Sequence, residues 1–324
     1  MISASKTVRI ATRGSKLALW QANYVAGLLH KMGYETKIIT LTTKGDIVQD
    51  RFLHEIGGKG LFIKELETAL LAKEADIAVH SLKDLPAVVQ KPFALSAIMK
   101  RHSPNDILIF NDAIQIKNLP EVLSASDIAQ TPVKSLGTSS LRRTCLLKSF
   151  APRIEVSPLR GNVDTRIAKL KEGQWDAIIL SHAAIERLEI KDIKYKVLDT
   201  TSFVPCAGQG ALTIETLADS PIAAEIAKLD HADTRYAVSF EREVLRLLGG
   251  DCSMPIGVFC TITGNTARVL GVLVDHQGNL GRAEVTWKRQ NPQDYVEGAK
   301  ELVAQLLVNG GREVLKNLNL PIPS

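Results

Sequence analysis

Two segments place arginines where a helix begins. In GTSSLRR (residues 137–143) an apolar run ends at Gly137, Thr138, Ser139 or Ser140 can cap the helix that follows, and Arg142 and Arg143 fall in its first turn. A cation there opposes the helix dipole, so an anion held against the free N–H groups is the simplest compensation. LRGNVDTR (159–166) repeats the pattern, with Arg160 before a Gly-Asn start and Arg166 on the helix beyond. The planar guanidinium fork suits a carboxylate gripped through two parallel hydrogen bonds. Pairing with surface acids accounts for any one of these arginines. Four of them at two helix starts make a pocket for small carboxylates the stronger account.

Three further segments carry weaker signals. ATRGSKLAL (11–19) sets Arg13 and Ser15 at a helix entry, and GGKG (57–60) is a flexible basic loop around Lys59. In HSLKDLP (80–86), Asp84 is a lone carboxylate beside Lys83 and His80. Its ordinary role is to form a turn before Pro86. In a cationic setting it can instead accept N–H hydrogen bonds and stabilise a cationic intermediate. Cys145, Cys206, Cys252 and Cys260 stand alone, with no C-x-x-C pair, and a lone thiol more often packs as a small apolar group. Cys252 falls in a Gly-rich loop after a helix, and its residue type and setting alone give it no stronger reading than that ordinary one.

Several chemistries lack their signatures. GGKG does not complete a P-loop, GQGALT lacks the third glycine of a dinucleotide fingerprint, and there is no H-E-x-x-H or G-x-S-x-G. No protein-built metal site is expected. The chain of 324 residues is 45% hydrophobic, 23% charged and 5% aromatic, with a net charge of +5. That is the composition of a globular protein with a real core, its arginines dispersed rather than gathered into a nucleic-acid-binding tract. No apolar run has the length of a signal peptide or a membrane span, so the expectation is a reduced, cytoplasmic protein.

The elements that must position these residues alternate. Strands are predicted at 8–11, 37–41, 77–79 and 95–98, with helices at 17–28 (apolar Leu17, Trp20, Tyr24 and Leu28) and 61–71 (Phe62, Leu66, Ala69 and Leu70). This βαβ order predicts a mostly parallel sheet covered by helices. A second α/β unit has strands at 107–110, 133–136, 154–156 and 177–180, with helices starting near Ser140 and Asn162. KRHSPND (100–106) and VPCAGQGAL (204–212) read as crossovers, so a ligand is expected in the cleft between two lobes. A third unit begins with a helix at 234–248, continues through strands at 258–262, 267–274 and 282–288, and ends in a helix at 294–308. That order predicts a three-stranded antiparallel sheet with helices on one face. The expected domains are 1–102 with 207–229, then 103–206, then 230–324.

Taken in order, ATRGSKLAL, GGKGLF, HSLKDLP, GTSSLRR, LRGNVDTR, VPCAGQGAL and DCSMPIG make the chain resemble the porphobilinogen deaminases over nearly its whole length. The resemblance implies two periplasmic-binding-protein-like α/β lobes joined by two crossovers, plus a small C-terminal α+β domain. It implies a dipyrromethane cofactor on a thioether to Cys252, the cysteine preceding x-x-P-I-G. It implies an enzyme joining four porphobilinogen molecules into hydroxymethylbilane with loss of ammonia. Arg13, Arg142, Arg143, Arg160, Arg166 and Arg187 would then hold pyrrole carboxylates with Ser15, Lys83, Thr138, Ser139 and Ser140. Lys59 would lie on a mobile loop, and Asp84 would hydrogen-bond the pyrrole N–H groups where positive charge develops. The family further implies a monomer acting on a small molecule, with no nucleic acid or membrane partner.

Three positions depart from the family pattern. Asp251 replaces the usual glycine before the cysteine, Ala184 replaces a glycine near Arg187, and Cys206 replaces an apolar residue. Two rival readings are a non-catalytic small-anion binding protein and a paralogue unable to load its cofactor. The first has no use for Asp84 and Cys252 together.

Overall fold

The structure, a computed structural model, describes residues 7–42, 63–116, 118–250 and 254–323. Two compact units divide it, one drawn from Met1–His102 and Ala211–Arg235, the other from Ser103–Gly210 and Tyr236–Ser324.

The chain enters the first unit through β1 (Thr7–Arg13), α1 (Lys16–Lys31), β2 (Glu35–Leu41), α2 (Lys64–Leu71), β3 (Ile77–Ser81), a 3-10 turn (Leu82–Asp84) and β4 (Phe93–Ile98). It crosses into the second through β5 (Asp106–Phe110), β6 (Val122–Leu123), α3 (Ala125–Gln130), β7 (Ser135–Gly137) and α4 (Leu141–Phe150). β8 (Glu155–Ser157), α5 (Val163–Lys171), β9 (Ala177–Ser181), α6 (His182–Arg187) and β10 (Lys194–Leu198) follow. β11 (Leu212–Leu217) and α7 (Ala223–Ile226) return to the first unit. α8 (Ala232–Leu247) leads to β12 (Ile256–Thr263), β13 (Thr266–Val274), β14 (Leu280–Lys288), α9 (Tyr295–Leu306) and α10 (Arg312–Asn317).

The two α/β sheets share one plan. Their orders are β2-β1-β3-β11-β4 and, read from the other edge, β8-β7-β9-β5-β10-β6. All strands of each sheet run one way except a single reversed strand, β11 in the first and β5 in the second. In both cases the reversed strand is the first to form after the chain crosses over. The expectation of a mostly parallel sheet thus holds with one exception per lobe. The short apolar runs become central strands because both faces are covered: all five residues of β5 and the first four of β9 are buried.

One helix buries a different face from the one expected. On α1 the buried residues are Gln21, Ala22, Val25, Ala26 and Leu29, while Trp20 and Tyr24 stack at 5.3 Å on its flank and Tyr24 is exposed. Small residues let the helix approach the sheet closely, so the large aromatics are displaced to the edge. On α2, Leu66, Ala69 and Leu70 are buried as expected, and Phe62 lies outside the described residues.

The C-terminal sheet is antiparallel, β12-β13-β14, as expected. Its β13 buries residues on both faces. Val269 and Leu273 join a core with Phe240 and Val244 of α8 and Leu302 and Leu306 of α9. Leu270, Val272 and Val274 join the core of the neighbouring α/β sheet, beside Leu136, Cys145 and Phe203. That shared core is why the sheet and its α/β neighbour form one compact unit.

Candidate functional site

In the first unit, strand ends and a helix start converge on one hollow. Arg13 closes β1, Ser15 caps α1 by accepting from Ala18 N at 3.3 Å, and Asp84 ends the 3-10 turn that follows β3. All three line the hollow with Gln21, His80 and Ser81, over Leu66 and Val79. The turn is held from two sides: Leu82 N donates to Ala211 O at 3.0 Å, and Gln21 Nε2 donates to Ser81 Oγ at 2.7 Å. Asp84 itself is exposed and Lys83 half-buried. The structure therefore brings together Arg13, Ser15 and Asp84 from two motifs some 70 residues apart in the chain.

Beneath the hollow, His80 Nε2 lies 3.0 Å from Oε2 of Glu215, a fully buried residue of β11. Glu67 of α2 senses this pair. Burial and then the charge of Glu215 push the Glu67 carboxyl above its ordinary range, against a smaller opposing effect of His80.

In the second unit, α4 starts at Ser140 as expected, but the preceding hydroxyls bind locally. Thr138 Oγ1 accepts from Ser140 N at 3.3 Å, Ser139 Oγ donates to Leu159 O at 2.8 Å, and Ser140 makes no side-chain cap. Arg142 and Arg143 are buried and both point at Asp106, the first residue of β5. Their Nη2 atoms each lie 2.6 Å from one of its oxygens. Arg142 Nη1 donates to Val204 O at 2.7 Å and Arg143 Nη1 to Ile179 O at 2.9 Å. Gln209 Nε2 adds a third donor to Asp106 at 3.0 Å. The anion that the sequence reading asked of a ligand is thus supplied, in part, by the fold.

The compensation is incomplete. Two guanidinium charges face one carboxylate, and Arg143 Nε has no hydrogen-bond partner although it is buried. Nη2 of Arg160, a half-buried residue just before α5, is likewise buried without a partner. Arg166 turns back to donate from Nε to Gly161 O at 2.7 Å, and the buried Arg187 donates from Nη2 to Gly210 O at 2.7 Å. Cys206 is half-buried, its Sγ 3.6 Å from Gln209 Oε1. Lys59, Asp251 and Cys252 lie outside the described residues. Among the described residues no cluster of His, Cys, Asp or Glu could hold a metal ion, and no helix is long and apolar enough to cross a membrane.

Sequence reasoning missed Asp106, Gln209, Glu215 and Glu241. The last is a fully buried residue of α8 that accepts from Gly208 N at 2.7 Å and Cys260 N at 2.9 Å. A signal existed for two of them: Asp106 opens, and Glu215 interrupts, a run of strand-forming residues where a charge has no solvent to face.

Comparison with known proteins is consistent over the whole chain. Residues 8–225 match the family described as porphobilinogen deaminase, dipyromethane cofactor binding domain, and residues 235–307 match porphobilinogen deaminase, C-terminal domain. Porphobilinogen deaminase of Bordetella parapertussis is 40% identical over 321 residues, covering 98% of each chain. That of Nitrosomonas europaea is 41% identical over 320 residues, covering 98% of this chain and all of the relative. Among solved structures, an ancestral cationic amino acid solute binding protein superposes with a TM-score of 0.44 at 12% identity, covering 69% of this chain and 87% of that one.

Proposed function

The chain belongs to the porphobilinogen deaminase family, and on that premise we propose that Asp84 is its catalytic carboxylate and Cys252 the attachment point of its cofactor. The family's enzymes carry dipyrromethane and act on porphobilinogen, four molecules of which become hydroxymethylbilane with release of ammonia. The residues present fit that cofactor and substrate. Two buried guanidinium N–H groups lack acceptors, on Arg143 and Arg160, and pyrrole acetate and propionate groups are carboxylates of the class they would take. When bound, the dipyrromethane supplies the pyrrole α-carbon to which the first substrate unit is joined.

The observation that carries the reading is the hollow holding Arg13, Ser15 and Asp84 together. Arg13 and Ser15 would fix a substrate carboxylate, leaving Asp84 to accept the pyrrole N–H. As the amino group departs, positive charge grows on that nitrogen, and a carboxylate fixed beside it lowers the barrier. Lys83, Thr138, Ser139, Ser140, Arg142, Arg143, Arg160, Arg166 and Arg187 complete the proposed carboxylate-binding set, and Lys59, outside the described residues, would join it. Arg142 and Arg143 would do so while anchored on Asp106, which holds their guanidinium planes in place. We further infer a monomeric cytoplasmic enzyme with no nucleic-acid partner, which the dispersed arginines and isolated thiols support.

The deciding experiment is the intact mass of the purified protein beside that of Cys252→Ser. The expected wild-type mass is higher than the chain by two porphobilinogen units less two ammonias, and the variant lacks the increment. A wild type that stays unmodified after incubation with porphobilinogen overturns the reading.

A further inference from the structure

The reading above leaves idle the two titratable groups beneath the Asp84 hollow. His80 is the fourth residue of β3 and lines the same hollow as Asp84. Its partner Glu215 sits on the antiparallel neighbour β11, where Thr213 lies opposite His80 and Glu215 opposite Ala78, so the side chains meet diagonally across the ladder. The His80 and Glu215 side chains are 6% and 0% exposed. One oxygen of Glu215 faces the imidazole, and the other, Oε1, has no hydrogen-bond partner.

A carboxylate stripped of water and bonded through one oxygen is costly unless a positive charge stands beside it. The groups around the pair show what is at stake. Glu67 of α2, already disfavoured as a carboxylate by burial and by Glu215, stands behind it. Arg13 of β1 and Asp84 of the turn stand before it around the hollow, with Lys83 next to Asp84 in the chain. Without the imidazole proton, Glu215 would add an uncompensated negative charge beneath the one carboxylate the reaction needs ionised. Like charges around one hollow oppose each other's ionisation, the more so where one of them is buried.

We propose that His80 is a positioning residue for the reaction: as an imidazolium on Glu215 it cancels the buried charge beneath the hollow, leaving Asp84 as the negative charge that meets the substrate. The proposal rests on the role assigned to Asp84 above. It also explains why a histidine and a glutamate, rather than two apolar residues, occupy a buried sheet centre.

The test is the pH profile of kcat/KM for His80→Gln, Glu215→Gln and the double variant, each first checked for folding by its melting curve and for cofactor loading by intact mass. In His80→Gln the acid limb moves to higher pH by about one unit or more. In the double variant, which removes both charges, it returns to the wild-type position. A purely structural role lowers the plateau in all three and moves no limb. Glu215→Gln keeps the test decisive where His80→Gln fails to fold, because loss of the buried negative charge cannot raise the limb. An unmoved limb in His80→Gln, a limb displaced equally in the double variant, or an upward shift in Glu215→Gln overturns the proposal. Asp84→Asn separates this from the reading beneath it: full turnover in that variant removes Asp84 from catalysis, whatever the His80 series shows.

Discussion

Asp106 Oδ2 and Arg142 Nη2 lie 2.6 Å apart, with the side chains 0% and 4% exposed, and the second carboxylate oxygen meets Arg143 at the same distance. One carboxylate from the start of β5 thereby holds two guanidiniums in the first turn of α4, where the helix dipole would repel them. Burial acts to raise the Asp106 carboxyl, but the charges and hydrogen bonds of the two arginines outweigh it and hold it far below the usual carboxylate range.

That depression sets a pH dependence. Because the folded value lies below the unfolded one, the stabilisation is complete above the unfolded carboxylate range, near pH 4 by the model-peptide value, and is lost only as pH falls towards the lower folded value. Asp106→Asn is expected to cost about 3–5 kcal/mol at pH 7, since it leaves two buried cations facing no anion. Denaturant melts of wild type and variant should differ most at neutral pH and converge in strong acid. A gap that widens on acidification contradicts the assignment.

Gly257, the second residue of β12, offers a second test. A Cβ there would lie 2.7 Å from Val204 O and 2.9 Å from Val272 Cγ2. Val204 O is also the acceptor for Arg142 Nη1. Gly257→Ala must push the crossover backbone away, at about 1–3 kcal/mol by analogy with overpacked cores. The expected result is a lower melting temperature together with a raised KM for porphobilinogen, because the Arg142 anchor moves with the carbonyl.

Glu241 brackets the same crossover from α8, binding Gly208 N with one oxygen and Cys260 N with the other. Glu241→Gln keeps one acceptor and turns an amide donor towards the other N–H. A loss of about 1–3 kcal/mol is expected in equilibrium unfolding, the cost of one unsatisfied buried donor. Glu241→Asp, which keeps the charge but shortens the reach, should recover part of it.

The thiols should separate by accessibility. Burial, aided by the charge of Asp275, pushes the Cys145 thiol up to about 12, and Cys260 is buried, whereas Cys206 is half-exposed. Iodoacetamide at pH 8 should therefore label Cys206 in the native protein and spare Cys145 and Cys260 until denaturant is added, as read by peptide mass mapping. Native labelling of Cys145 would contradict its burial.

Local chemistry made the helix starts at Ser140 and Asn162 and most strands of the three sheets legible in the sequence. Caps and apolar runs act over a few residues, and no distant partner is needed to read them. β6, two residues long, and β10, whose KYKVL mixes cations with apolar residues, were not legible, because their pairing is decided by neighbours far away in the chain. The same holds for the site. Arg13, Ser15 and Asp84 could each be suspected from their motifs, but Asp106 gains meaning only when β5 brings it under α4. Glu215 likewise depends on β11 returning to lie beside His80. The face of α1 was misread for a related reason: hydrophobic spacing favours Trp20 and Tyr24, whereas close packing on a sheet favours Ala22 and Ala26.

The reversed strand in each sheet has a consequence for synthesis on the ribosome. β1 to β4 emerge first, yet β3 and β4 have no shared edge until β11, more than a hundred residues later, slides between them. The second α/β sheet begins with its own reversed strand and has all its members by residue 198. The lobe translated first is therefore the one whose sheet closes last, and while it waits the unpaired rims of β3 and β4 stand open to any other chain with an edge to offer.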